Sequence, residues 1–82
     1  MSNKQLAERL NYELDELGVP ALMKERVQAC SKLFKLPSFQ IEALLNGIVT
    51  YGGSSMQKVA DELGVSKDWL LGITKKKNAV QH

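Results

Sequence analysis

Side chains capable of covalent or metal chemistry are few in this 82-residue sequence, and their spacing does not suit it. The single histidine, His82, is the last residue, so no Ser-His-Asp or Cys-His arrangement and no metal cluster is in view. The single cysteine, Cys30, takes an apolar helical position that is typical of a buried thiol. The glycine pairs fit neither a dinucleotide fingerprint nor a phosphate-binding loop. We therefore expect no enzyme activity, no metal, no cofactor and no small-molecule ligand.

Cations in the middle of the chain are better suited to binding than to catalysis. Residues 21–40 have a net charge of +3, whereas the whole chain has +2. Four cations against the single acid Glu25 produce this value: Lys24, Arg26, Lys32 and Lys35. Three further lysines stand at 75–77. This distribution favours a polyanion as partner, although charged helix faces are often merely solvated.

Two short amphipathic segments position these cations. Apolar residues at helical spacing define the first segment, Val27, Cys30, Leu33 and Phe34, and the second, Ile41, Leu44, Leu45 and Ile48. Only Lys35, Leu36 and Pro37 separate the two, and a proline cannot continue the first helix. Such a pair predicts a helix-turn-helix, whose second helix can enter a DNA major groove.

Three further helices complete an all-α domain. A leucine stripe over residues 6–17, preceded by the S-x-x-Q spacing of Ser2 and Gln5, predicts a capped first helix. A second apolar stripe predicts a fourth helix that ends at Gly64, and Ser66 begins a short fifth one. We expect one compact five-helix domain over residues 1–73 and a flexible basic tail over residues 74–82.

The composition also limits where the protein works. Apolar runs never exceed a few residues, so no segment is expected to span a membrane, and no signal peptide precedes the first helix. With only one cysteine, no internal disulfide forms. We expect a cytoplasmic location.

The outward side of the third helix holds the residues expected to contact DNA bases: Ser38, Phe39, Glu42, Ala43 and Asn46. Phe39 contacts a thymine methyl group or wedges at a base step, folds back on the domain, or binds a protein, and the sequence leaves these alternatives open. Glu42 repels phosphates but can accept a hydrogen bond from cytosine N4.

DNA phosphates are expected to contact the four cations of residues 21–40, together with backbone amides at Gly53 and Ser54. Amides at a helix N-terminus bind anions, although a glycine pair is more often a flexible turn. Trp69 and Leu71 cannot both be buried on a short fifth helix, so they are predicted at a dimer interface. The alternative is that Trp69 covers its own small core.

Three stretches together resemble the lambda-repressor-like DNA-binding domains of phage repressors and Cro-type regulators. They are LAERLNYELDELGVP, VQACSKLFKLPSFQIEALLNG and MQKVADELGVSKDWLLG, and they cover roughly residues 5 to 73. The resemblance implies five helices, a helix-turn-helix at helices two and three, and binding of a dimer to operator DNA. The family usually has glycine in the turn, where this chain has Lys35.

We therefore expect a sequence-specific DNA-binding transcriptional regulator, such as a repressor, of phage or mobile-element type. Its homodimer would read two half-sites of double-stranded DNA about 10 base pairs apart. The alternative is a helix-turn-helix fold used as a protein-interaction module, an anti-repressor or adaptor. Its contact surface would comprise Phe39, Glu42 and the loop from Ile48 to Tyr51.

Overall fold

Five α-helices form the regular structure of the chain. The computed structural model describes residues 3–48 and 55–77, and these contain helices but no strand. The helices are α1 (Lys4–Glu16), α2 (Met23–Phe34), α3 (Ser38–Leu45), α4 (Ser55–Leu63) and α5 (Lys67–Leu70). The prediction of an all-α, five-helix domain is confirmed. Within the two described ranges, no helix combines the length and the apolar character needed to cross a membrane.

The core consists of leucine-rich stripes from all five helices. The apolar residues that are buried are Leu6, Leu10, Leu14, Val27, Cys30, Phe34, Leu36, Ile41, Leu44, Leu45, Met56, Val59, Ala60, Val65 and Leu70. The short helix α3 packs against both α1 and α2, and α4 contacts α2 and α5. Three residues predicted to face inward do not: Leu17 is 60% exposed, Leu33 is 41% exposed, and Ile48 follows α3 and is 47% exposed.

The start of α1 is joined to the end of α3. Asn3 is the N-cap of α1, and its side chain accepts a hydrogen bond from the Leu6 amide. The predicted Ser2–Gln5 box therefore begins one residue too early, and Ser2 itself lies outside the described residues. The Asn3 amide donates to the Gly47 carbonyl at 2.6 Å. Gly47 has φ +80°, and a Cβ there would overlap the Asn3 backbone, so this junction requires glycine.

The turn between α2 and α3 orients the third helix. Lys35 ends α2 in the left-handed conformation, with φ 56° and ψ 47°, where glycine is the usual residue. Leu36 is buried, and its carbonyl accepts a 2.6 Å hydrogen bond from the Ser31 hydroxyl. Pro37 is then the extended N-cap from which α3 begins. This turn is closed by its own hydrogen bonds, so the exit direction of α3 is set locally.

Candidate functional site

The outward face of α3 is largely exposed. Ser38, Phe39, Glu42 and Asn46 are exposed and Ala43 is half-buried, while Ile41, Leu44 and Leu45 face the core. The five residues predicted to contact bases therefore share one surface, which we call the α3 face (Ser38, Phe39, Glu42, Ala43 and Asn46). The apolar positions of α3 are three and four residues apart, so one side of the helix is anchored and the opposite side is presented.

Two shallow grooves flank Glu42 on this face. The first runs between α2 and α3 and is lined by Met23, Lys24, Val27, Gln28, Ser38 and Glu42. The second is lined by Phe39, Glu42, Ala43, Asn46 and Ile48. Gln28 is a polar group on this surface that the sequence analysis missed. Its position four residues after Lys24, on the same side of α2, is the signal that could have identified it.

Phe39 does not fold back on the domain. Its side chain is 71% exposed, next to Ile48 in the second groove. The Asn46 side-chain amide donates to the Glu42 carbonyl within the helix at 2.9 Å, which leaves its oxygen available as an acceptor. Of the predicted loop from Ile48 to Tyr51, only Ile48 belongs to the described residues. The α3 face thus presents an aromatic ring, a carboxylate and two small polar groups.

The predicted phosphate-binding cations are separated by the fold. Lys24, Lys32 and Lys35 are exposed, and Lys24 lines a groove with Ser38 and Glu42 of the α3 face. Lys35 lies in a cleft between α2 and α4 with a second lysine, Lys58, and two carboxylates, Asp61 and Glu62. The two acids balance the two lysines, so this cleft has no net positive charge to attract a polyanion. Gly53 and Ser54 lie outside the described residues.

Arg26 is a structural residue, and its prediction as a phosphate contact is wrong. Its side chain is buried, with 4% exposed, and its guanidinium pairs with the Asp15 carboxylate at 2.5 Å. It also donates to the Pro20 carbonyl at 2.8 Å, the Val19 carbonyl at 3.1 Å and the Asn11 side chain at 2.9 Å. These bonds tie α2 to the end of α1 and to the loop between them. A group with its donors used internally cannot also neutralise a phosphate.

The surface around α5 is partly covered by the chain itself. Trp69 and Leu71, the predicted dimer contacts, are both half-buried. The Arg9 guanidinium lies 4.8 Å from the centroid of the Trp69 ring, and the Leu71 carbonyl accepts a 3.0 Å hydrogen bond from the Asn3 side chain. The segment up to Lys77 also contacts α1, so the predicted free tail does not begin at residue 74. Residues 78–82 lie outside the described part.

Groups suited to catalysis are sparse on the described surface. Within residues 3–48 and 55–77, no cluster of three His, Cys, Asp or Glu side chains is arranged to hold a metal ion. Cys30 is fully buried, and this burial raises the pKa of its thiol above the ordinary value. A buried thiol with a raised pKa is a poor nucleophile, because little of it is thiolate at neutral pH.

The chain matches no protein-family model, no curated protein and no solved structure. What it does is therefore inferred from its own fold and surface.

Proposed function

We propose that this chain is a sequence-specific DNA-binding transcriptional regulator of phage or mobile-element type. In this proposal α2 and α3 are the helix-turn-helix of a lambda-repressor-like domain. The observation that carries the proposal is the placement of α3, which is packed against α1 and α2 on one side and has four of the five residues of the α3 face exposed on the other. A short helix that is firmly anchored yet open along one face is suited to insertion into a groove.

The dimensions of α3 fit the DNA major groove. An α-helix with its side chains is about 10–12 Å across, which fits a groove about 12 Å wide and 8.5 Å deep, and the eight residues of α3 have a length of about 12 Å. Ser38 and Asn46 would hydrogen-bond to base edges, and Glu42 would accept from cytosine N4. Phe39 and Ala43 would contact thymine methyl groups. This set would favour sites that contain both cytosine and thymine along the contacted edge.

The phosphate contacts would come chiefly from α2. Lys24 borders the α3 face, and Lys32 is exposed two helical turns further along α2, with Gln28 between them. Lys35 would contribute less because its cleft, shared with Lys58, Asp61 and Glu62, has no net positive charge. The Gly53 and Ser54 amides complete the proposed set, and the exposed Lys75 and Lys76 would add a nonspecific attraction. Two copies, related through the Trp69 and Leu71 surface, would read two half-sites about 10 base pairs apart.

The test is an anisotropy titration against random-sequence double-stranded DNA pools at two salt concentrations, followed by recovery of the bound sequences. A steep salt dependence with enrichment of one sequence supports the proposal. The decisive variant is Lys24→Gln, with Lys67→Gln, an exposed lysine on α5, as the matched control. Lys24→Gln should weaken binding to all sequences and reduce the salt slope by about 0.9. Equal affinities of the two variants would contradict the assignment of the α2–α3 surface.

Base contacts are tested separately with Phe39→Ala. Loss of a thymine contact should change the preferred base at one position, at a cost of about 1–3 kcal/mol for that site, and leave nonspecific affinity unchanged. If Phe39→Ala selects the same DNA sequence as the wild-type chain, Phe39 does not contact a base.

A second candidate function is a protein-interaction module, favoured by one specific observation. Phe39 is 71% exposed beside the 47% exposed Ile48, and α3 itself contains no cation. Exposed apolar side chains grouped on one face are typical of partner surfaces. In this case the chain binds DNA weakly and without selection, and that binding disappears by physiological salt. Phe39→Ala would then abolish capture of a partner protein without any effect on DNA.

A further inference from the structure

The side chain of Lys77 lies in a small cluster with Tyr12, Glu13 and Trp69, which we call the notch. Its ammonium pairs with the Glu13 carboxylate at a distance of 2.9 Å. The same nitrogen lies 5.5 Å from the centroid of the Trp69 ring and 5.9 Å from the centroid of the Tyr12 ring. Residues of α1 and α5 thus surround a single cation with one carboxylate and two aromatic rings, which are the groups that attract an ammonium most strongly.

The backbone around Lys77 is bound as well. The Lys77 carbonyl accepts a 2.7 Å hydrogen bond from the Ser66 amide, next to α5. Three residues earlier, the Thr74 carbonyl accepts a 3.3 Å hydrogen bond from the Arg9 guanidinium, which also donates to the Trp69 carbonyl. The segment is therefore attached at both of its ends, across the line where α5 meets α1. Lys75 and Lys76, between these points, remain exposed.

The notch is built for a charge rather than formed by chance contact of surface groups. The Glu13 side chain is only 11% exposed because it lies on the buried side of α1 with Leu10 and Leu14, whereas the Lys77 side chain is 45% exposed. A carboxylate held so far from water needs a partner cation, because burial of an unpaired charge is unfavourable. The cation reaches it from outside, on a segment with no regular structure of its own.

We propose that Tyr12, Glu13 and Trp69 form a binding site for a lysine ammonium, which the chain fills with its own Lys77. Residues 73–77 then act as a latch that closes over α5 by occupying this site and opens when the lysine charge or its carboxylate partner is lost. The closed latch covers part of Trp69, so it competes with any second copy that would use the same ring. The proposal does not depend on DNA binding.

Limited trypsin digestion of the full chain tests the latch directly. Trypsin cleaves after Lys75 and Lys76 only when the segment leaves its site, whereas cleavage after Lys32, inside α2, reports unfolding of the domain. Glu13→Gln should accelerate cleavage after Lys75 about fivefold, the factor contributed by one partly exposed ammonium–carboxylate pair, and leave cleavage after Lys32 unchanged. Glu8→Gln, an exposed carboxylate on α1 that pairs with Lys4 at 4.0 Å, is the matched control and should leave both rates unchanged.

A second variant and a second measurement guard against loss of the fold. Trp69 is the only tryptophan, so its fluorescence reports the notch alone. Lys77→Gln should increase quenching of Trp69 by acrylamide, and Lys76→Gln, which removes an exposed charge one residue away, should not. Wild-type cleavage and quenching in both Glu13→Gln and Lys77→Gln would overturn the proposal. Equal acceleration at Lys75 and Lys32 would also overturn it, because the segment would then open only with the whole domain.

Discussion

Arg26→Met is the sharpest test of how the helices are held together. Arg26 is the buried guanidinium that links α2 to the end of α1, and methionine keeps much of its apolar volume while removing every donor. The loss affects the Asp15 carboxylate, the Asn11 side chain and the Val19 and Pro20 carbonyls. We expect a folded but markedly less stable domain.

The size of the stability loss depends on which of these hydrogen bonds water can replace in the variant. The Asp15 side chain is 63% exposed, so its ion pair contributes at most about 1 kcal/mol. Each bond from a charged donor to a carbonyl contributes about 1.5–3 kcal/mol before the cost of burying the guanidinium is subtracted. The net loss is about 3 kcal/mol. A chain of this length is stable by roughly 4–12 kcal/mol, so the melting temperature should fall by about 15 °C.

Urea unfolding followed by circular dichroism measures this loss. Arg26→Lys keeps the charge but not the planar set of donors, and it should recover only about 1 kcal/mol of the loss, because one ammonium cannot reach acceptors on both sides. Lys32→Met, an exposed position on the same helix, is the control and should lie within about 0.5 kcal/mol of the wild type. An Arg26→Met variant within about 1 kcal/mol of the wild type would refute the structural role derived for Arg26.

Three further changes have defined outcomes. Lys35→Gly should stabilise the domain by about 1 kcal/mol in urea unfolding, because Lys35 has φ 56° and glycine removes the steric cost of that conformation. A variant less stable than the wild type would contradict this reasoning. Gly47→Ala should lower the free energy of unfolding by more than about 2 kcal/mol in the same assay, because φ is +80° and the new Cβ would overlap the Asn3 carbonyl. Gly18→Ala is the control: its φ is equally positive but the space around it is open, so the loss of stability should be smaller. The bond to Glu13 raises the pKa of Lys77, and a bond to Glu16 raises the pKa of Tyr12. Both groups therefore hold their protons more tightly in the folded chain, and stability present below about pH 10 is lost as the pH rises further. Between pH 9 and pH 12 the melting temperature should fall less for Lys77→Gln than for the wild type. Equal decreases would show that deprotonation of Lys77 does not contribute to the loss of stability.

Local patterns in the sequence predicted much of the architecture. The leucines of the first helix and the apolar residues of α4 repeat at three and four residues, and the structure buries all but the last member of each stripe. The position of α5 after Ser66 was also predicted, because a cap depends only on a side chain and an amide three residues away. The shared outward face of Ser38, Phe39, Glu42, Ala43 and Asn46 follows from the same local periodicity.

Predictions failed where a side chain is used by a distant part of the chain. Arg26 has the composition of a surface cation, yet its partners lie at positions 11 to 20, on another helix and in a loop. Leu33 fits the apolar stripe of α2, but no element covers it. Lys77 belongs to a lysine run that reads as a free tail, and only folding brings it to Glu13, 64 residues earlier in the sequence.

The sequence by itself determined which residues form helices and which side of each helix is apolar, because both properties depend on neighbours within one helical turn. The tertiary structure alone decided which charges remain free. It placed Lys24 beside the α3 face, enclosed Arg26, set Lys35 among carboxylates and bound Lys77 to Glu13. The availability of a charge depends on what packs within a few ångströms of it, and that distance is set by contacts between residues far apart in the chain.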